Sequence, residues 1–300
     1  MFKMNLVLLI TSFAMSSALL EVIPVRRTPE ERFDSLSEQG YPWPPNYLNL
    51  RITGYPHMRM HYLDLGPKDA HETILLLHGT PAWSFLYRLM IPHLLKARYR
   101  VVAPDFIGFG RSDKLSNPQD YTHKLHVLCL LQLVQYLDLQ GVTLFGHDLG
   151  GPTGLSVVRR EKDRFRRLAL FNTWIPQGDI FSDAPFTIRH TPYLLWRFTT
   201  QILGRAVPLG LIFNVATDAS SSGVQGYTAP FPTPLFTAGP SQWPLLVPIR
   251  ANDPMAIEMQ KVKTFLSRSW TGPVLFGFSD GELFTVPGGD LMRRLFRYNG

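Results

Sequence analysis

The stretch Phe145-Gly146-His147-Asp148-Leu149-Gly150-Gly151 decides how this chain reads. It joins an apolar run at 142–146, predicted as a strand, to a helical pattern at 150–160. The spacing is that of a nucleophile elbow, Gly-x-Ser-x-Gly, with aspartate where serine usually stands. Glycines flank the apex because side chains there would collide in a tight, strained turn. The apex residue is pushed out at the carboxyl end of the sheet, beside a helix N-terminus that favours negative charge. A carboxylate so placed can attack an electrophilic carbon and form an ester. The plainer alternative is that Asp148 caps the following helix. Strand, elbow and helix in register favour the nucleophile.

Outward from the elbow, strands and helices alternate. Met58–Leu65 alternates apolar and polar residues, as a half-buried strand does. Ile74–Leu77 is fully apolar, the mark of a central parallel strand. Helical spacing is predicted over Trp83–Leu95 and Tyr121–Leu137, and strands over Tyr99–Pro104 and Leu168–Phe171. The order implies an α/β protein with a doubly wound, mostly parallel sheet. The alternation breaks at 175–258, a stretch rich in Pro, Thr, Ser and aromatics that also carries helical segments such as Tyr193–Leu203. It reads as an inserted helical cap. The sheet pattern resumes at Pro273–Phe278, followed by a short helix over Asp290–Phe296.

Composition bounds the class. The chain has 300 residues, 45% hydrophobic and 18% charged, so general disorder is excluded. Its 25 prolines argue against a coiled coil, and its single cysteine against a disulfide framework or a zinc site of several thiolates. The net charge of +7 would suit nucleic acid, but the basic residues are scattered. The densest run, Arg159–Arg167, is interleaved with Glu161 and Asp163, so no nucleic-acid partner is expected. At the N-terminus, Lys3, the apolar run Leu6–Ile10 and the small residues Ser16, Ser17 and Ala18 describe a secretory signal peptide cleaved after Ala18. A signal anchor and an internal start are the competing readings. The expected organisation is therefore a signal at 1–18, a first core part at 19–174, the cap at 175–258 and a second core part at 259–300.

His78-Gly-Thr-Pro follows the strand ending at Leu77. A strand ending in His-Gly brings a backbone N–H near the elbow, and with the N–H after the nucleophile it would form an oxyanion hole. The donors here would be the backbones of Thr80 and Leu149. An ordinary strand-end turn is the alternative.

With these motifs together, the sequence resembles the haloalkane dehalogenases. The resemblance rests on His78-Gly-Thr-Pro-Ala-Trp-Ser-Phe-Leu-Tyr-Arg88, Ala103-Pro-Asp-Phe-Ile-Gly-Phe-Gly-Arg-Ser-Asp-Lys114 and the Asp148 elbow. It extends to Arg27-Thr-Pro-Glu-Glu-Arg-Phe33 and Tyr227-Thr-Ala-Pro-Phe-Pro232, and so runs from about residue 26 to the end. It implies an α/β-hydrolase fold with the cap inserted after the sixth strand. It also implies a two-step reaction, without metal or cofactor, on a small apolar electrophile and water. Asp148 displaces halide to form an alkyl ester, and a histidine oriented by an acid then activates water to hydrolyse it. Gly277-Phe-Ser-Asp280 matches the acid motif, making Asp280 the first choice and Glu282 the second.

Two departures qualify this. The family holds halide with ring N–H groups, one from a Trp directly after the nucleophile; here that residue is Leu149. Trp196 best matches the second, cap-borne Trp, with plain cap core as its alternative, and Thr80 replaces the usual acidic or amide residue between Gly79 and Pro81. The catalytic histidine of this fold follows the acid, yet the last histidine is His190. His78 and His147 are expected to be structural, and His57, His61, His71, His93, His123 and His126 mostly superficial. The expectation is a C-terminally incomplete chain with poor turnover. The competing functions are an epoxide hydrolase, with Tyr193 and Tyr227 as acid candidates, and a non-catalytic ligand-binding protein.

Overall fold

The computed structural model describes residues 25–178, 191–217, 219–280 and, beyond them, Met292 and Leu295. The expected signal segment, His190, Glu282 and most of the expected helix 290–296 lie outside the described residues.

In chain order the strands are β1 (Val25–Arg26), β2 (Asn46–Leu50), β3 (Met58–Leu65), β4 (Thr73–Leu77), β5 (Arg100–Pro104), β6 (Lys114–Leu115), β7 (Val142–His147), β8 (Phe165–Phe171) and β9 (Val274–Gly277). The helices are α1 (Ile91–Lys96), α2 (His123–Tyr136), α3 (Gly150–Arg160), α4 (Thr191–Leu203), α5 (Leu209–Ala216), α6 (Ser221–Thr228), α7 (Ala238–Leu246) and α8 (Pro254–Arg268). Seven strands form one sheet in the order β2-β3-β5-β4-β7-β8-β9. β2, β3 and β5 pair antiparallel, while β5, β4, β7, β8 and β9 run parallel. This is the mostly parallel, doubly wound sheet of the α/β-hydrolase fold.

The most apolar strand sits where burial is deepest. Every residue of β4 is buried, as its unbroken Ile74-Leu-Leu-Leu run requires. β7 alternates instead: Val142, Leu144 and Gly146 are buried, while Thr143, Phe145 and His147 are half-buried. On that second row Phe145 stacks on Phe171 and meets the edge of Tyr87. α3 packs against α2 and α8, and α8 runs unbroken through residue 258.

Two elements differ from the sequence reading. The helix predicted over Trp83–Leu95 is a short 3-10 turn, Ser84–Tyr87, and a separate α1. Pro92 has no N–H to give the Arg88 carbonyl, and Trp83 is extended, both of which disfavour one continuous helix. β2 was not anticipated. Pro42, Pro44 and Pro45 precede it, and it forms by pairing residue for residue with β3, Asn46 opposite Tyr62 and Leu50 opposite Met58. Between β8 and α8, α4 packs on α7 and α5 on α6.

The segment before the sheet ties core to cap. Arg27 makes a two-pronged ion pair with buried Asp113, at 2.7 and 3.0 Å. Thr28 Oγ1 donates to the Pro230 carbonyl (2.8 Å), Arg32 Nε to the Ala229 carbonyl (3.3 Å), and buried Phe33 meets Trp83 edge-on. The Arg27–Phe33 and Tyr227–Pro232 motifs are therefore two sides of one contact.

Candidate active site

Asp148 stands between β7 and α3 with φ of +50°, a left-handed conformation that costs a non-glycine residue on the order of 1–2 kcal/mol. Its surroundings hold it there. Asp148 N–H donates to the Asn172 carbonyl (3.1 Å), and its own carbonyl accepts from Gly151 N–H (3.0 Å) and Thr173 Oγ1 (2.7 Å). At Gly150 a Cβ would lie 2.5 Å from the carbonyl oxygens of Leu77 and His78, so only glycine lets α3 start this close to β4.

The first motif meets the elbow. Thr80 N–H donates to Asp148 Oδ1 at 2.9 Å. A Cβ on Gly79 would fall 2.2 Å from that same oxygen, so the backbone must be bare here for the carboxylate to reach it. Thr80 Oγ1 is buried without a hydrogen-bond partner, and Leu149, 5% exposed, adds only an apolar side chain. The structure thus brings Thr80 and Asp148 together, with Leu149 next to Asp148 in the chain.

His78 is scaffolding. Its Nδ1 donates to the Gly79 carbonyl (2.8 Å) and its Nε2 accepts from Phe106 N–H (3.0 Å), which fixes one neutral tautomer. Burial pushes its pKa down to about 4. The neighbouring motif is organised by fully buried Asp105. Burial would raise this carboxyl, but the charge and hydrogen bond of His61 (2.7 Å) and the N–H of Ser84 (2.8 Å) outweigh it and bring it to about 2. Arg111 N–H adds a third hydrogen bond, at 2.8 Å. His61 and His126 are not superficial: each is under 2% exposed, His61 on Asp105 and His126 Nε2 on the indole of Trp243. His123 is half-buried, and His57, His71 and His93 are exposed. His147 lies in the Phe145 row of β7, with its ring kept neutral to about pH 4 by burial.

Asp280 lies in the exposed turn after β9, and Trp196 is half-buried on α4. Tyr193 donates its phenol to the Pro244 carbonyl (3.0 Å), and Tyr227 is packed between Phe85 and Phe213. Among the described residues no cluster of His, Cys, Asp and Glu could hold a metal.

Two site residues escaped the sequence reading. Asn172, at φ of +40°, accepts Asp148 N–H through its carbonyl and donates its own N–H to the Gly277 carbonyl (2.9 Å). Its side chain accepts from Ser279 N–H (2.9 Å) and donates to Ser279 Oγ (3.2 Å). It therefore couples the elbow to the loop carrying Asp280. Thr173 is the other. The available signal was an asparagine directly after an apolar strand, a residue that tolerates positive φ. A cavity of about 520 Å³ lies elsewhere, between α2, α3, α7 and α8. Several of its charged groups are already engaged: Arg160 pairs with Glu258, Arg197 binds backbone carbonyls, and Asp253 accepts the N–H groups of Ile249 and Arg250.

A parallel sheet with an elbow at the carboxyl end of β7 and a partner N–H after β4 is the working arrangement of α/β hydrolases, and the family model described as alpha/beta hydrolase fold matches residues 72–204. A haloalkane dehalogenase of Psychrobacter cryohalolentis is 38% identical over 271 residues, 90% of this chain and 86% of that protein. Another, of Mycolicibacterium paratuberculosis, is 40% identical over 262 residues, 85% and 82% of the two chains. The tetrameric structure of haloalkane dehalogenase DpaA from Paraglaciecola agarilytica NO2 superposes with a TM-score of 0.80 at 35% identity, covering 90% of this chain and 88% of that one. This chain belongs to the haloalkane dehalogenase family.

Proposed function

We propose that Asp148 is the nucleophile that removes halide from a small haloalkane, and that the 300-residue chain completes this step far better than the hydrolysis that follows. One carboxylate oxygen of Asp148 attacks the halogen-bearing carbon. The C–O bond forms as the carbon–halogen bond breaks, halide leaves with the bonding pair, and an alkyl ester remains on Asp148. The observation that carries this reading is the hydrogen bond from Thr80 N–H to Asp148 Oδ1, which aims and holds the carboxylate. In ester hydrolysis, water adds to the ester carbonyl, and the Thr80 and Leu149 N–H groups would hold the charged oxygen. That step needs a base to take the proton of water. His61, His78 and His126 are spent on Asp105, on the backbone of Gly79 and Phe106, and on Trp243. Asp280 is the acid we favour for orienting a histidine, because the Asn172–Ser279 pair fixes its loop to the elbow.

Leaving-group stabilisation rests on fewer donors than in the family pattern. Leu149 has none to offer, so the buried hydroxyl of Thr80 and the indole of Trp196 are our candidates for binding halide. An epoxide hydrolase would need phenols over the reacting oxygen, whereas Tyr193 is bonded into α7 and Tyr227 is stacked within the cap.

Intact-mass measurement after exposure to a bromoalkane tests the proposal, with bromide release followed in parallel. The expected result is one alkyl adduct per chain, matched by one equivalent of bromide, with both lost in Asp148→Asn. Bromide release that survives Asp148→Asn would refute the nucleophile. Many turnovers with no retained adduct would refute the block at hydrolysis. A folded chain giving neither bromide nor adduct, nor any diol from an epoxide, would favour a binding protein without chemistry.

A further inference from the structure

The peptide that joins Asp148 to Leu149 is held through its carbonyl. That oxygen accepts two hydrogen bonds, from Thr173 Oγ1 at 2.7 Å and from Gly151 N–H at 3.0 Å. A peptide group is planar and trans, so its N–H points opposite to its C=O. Fixing the carbonyl therefore fixes the direction of Leu149 N–H. Among the described residues that N–H has no acceptor, although Leu149 is only 5% exposed. Buried backbone donors are nearly always paired, so one left open beside Asp148 is a place for a reacting oxygen.

The sheet register delivers Thr173 to this point. β7 and β8 run parallel with His147 opposite Phe171, so the residues that follow them, Asp148 on one and Asn172 and Thr173 on the other, come side by side. Asn172 accepts the N–H of Asp148, and Thr173 donates to its carbonyl. Thr173 is fully buried, and a Cβ on Gly151 would fall 2.0 Å from its Oγ1, so the start of α3 is bare where the hydroxyl passes. A hydroxyl has one proton to give, and this one is spent on the Asp148 carbonyl.

We infer that Thr173 is a positioning residue for the second chemical step: its hydroxyl turns the Asp148–Leu149 peptide so that Leu149 N–H faces the oxygen that gains charge when the Asp148 ester is cleaved. This rests on the assignment of Asp148 as the nucleophile. The two steps make opposite demands on that donor. When the carboxylate displaces halide its oxygens lose negative charge, so an N–H on the non-attacking oxygen favours the reactant. When a nucleophile adds to the ester carbonyl that oxygen gains charge, so the same N–H favours the transition state. Loss of the Thr173 hydroxyl should therefore weigh on ester cleavage more than on ester formation.

Hydroxylamine separates the two steps in the 300-residue chain. Its nitrogen adds to the ester carbonyl, the acyl C–O bond breaks, the alcohol leaves with a proton from that nitrogen, and a hydroxamate remains on Asp148. The chain is alkylated with a bromoalkane while bromide release gives the first rate. Excess reagent is removed, and intact mass then follows loss of the alkyl group in neutral hydroxylamine. In Thr173→Ala, cleavage should slow about three- to tenfold more than bromide release does, the worth of one neutral hydrogen bond. Thr173→Val should match it, and Thr173→Ser, which keeps the hydroxyl, should keep the parent's ratio of rates. Rates are taken per adduct formed, so a smaller folded fraction in a variant does not enter. Equal slowing of both steps would make Thr173 a general support of the elbow and overturn the inference. So would an alanine variant cleaved as fast as the parent, or a parent ester cleaved no faster in the folded chain than in urea. If the parent turns over without retaining adduct, the same split is read between the bromide burst and the steady rate. A parent that forms no adduct and releases no bromide would remove the nucleophile assignment itself, and this inference with it.

Discussion

Of the neighbours that hold Asp148, Gly151 and Thr80 were visible in motifs, while Asn172 and Thr173 were not. On the role proposed for Asp148, one departure from the family pattern is the residue that follows it, Leu149. Replacing Leu149 by Trp restores an N–H beside the leaving group. A hydrogen bond to a charged group is worth about 1.5–3 kcal/mol, so single-turnover bromide release should rise by roughly 10- to 100-fold. Thr80→Val should lower it by a similar factor, because it removes a buried hydroxyl that no protein group engages, while Thr80→Ser should keep the parent rate. A Thr80→Val variant as fast as the parent would remove the hydroxyl from the halide site. Asn172 shows why part of the site was hidden. It meets Asp148 through its backbone, and it meets Ser279 only because β8 and β9 pair in a register that neither segment specifies alone.

At the scale of elements, the elbow is a close fit between the end of β4 and the start of α3. Gly150→Ala would push a methyl against the Leu77 and His78 carbonyl oxygens, 2.5 Å from the ideal Cβ position, and neither backbone can yield without moving Thr80 from Asp148. A loss of about 1–3 kcal/mol or more is expected, read from the urea midpoint, together with slower ester formation. An unchanged midpoint would mean that α3 shifts freely. The same fit explains what was legible beforehand. β4, β5, β7 and α3 carry their period in contiguous residues, and the elbow that joins two of them is itself local. β2 has five residues and exists through its partner, and the break at Pro92 was masked by apolar residues on either side that keep helical spacing. The histidines were misjudged for a related reason. His61 and His126 sit in mixed polar runs, and only tertiary packing gives them Asp105 and Trp243 as neighbours.

For the whole molecule, buried neutral imidazoles set an acid limit. Burial lowers the His78 pKa to about 4, and that of His126 lies well below its ordinary 6.5. An unfolded chain binds these protons near pH 6.5, whereas the folded one refuses them. Stability is therefore full above that pH and falls as pH drops from 6.5 towards 4, by about 1.4 kcal/mol per pH unit for each histidine and about 3 for the two. Asp105, held at about 2, adds its own loss only below about pH 4. Urea midpoints should drop steeply between about pH 6.5 and 5, and a flat profile there would contradict the buried-neutral assignment. The bonds of Thr28 to Pro230, Arg32 to Ala229 and Arg27 to Asp113 have a kinetic consequence. A strap anchored on both sides resists lid-like opening until it lets go of one of them, either the Thr28 and Arg32 bonds or the Arg27–Asp113 pair, so opening is slowed by the rupture of one whole set.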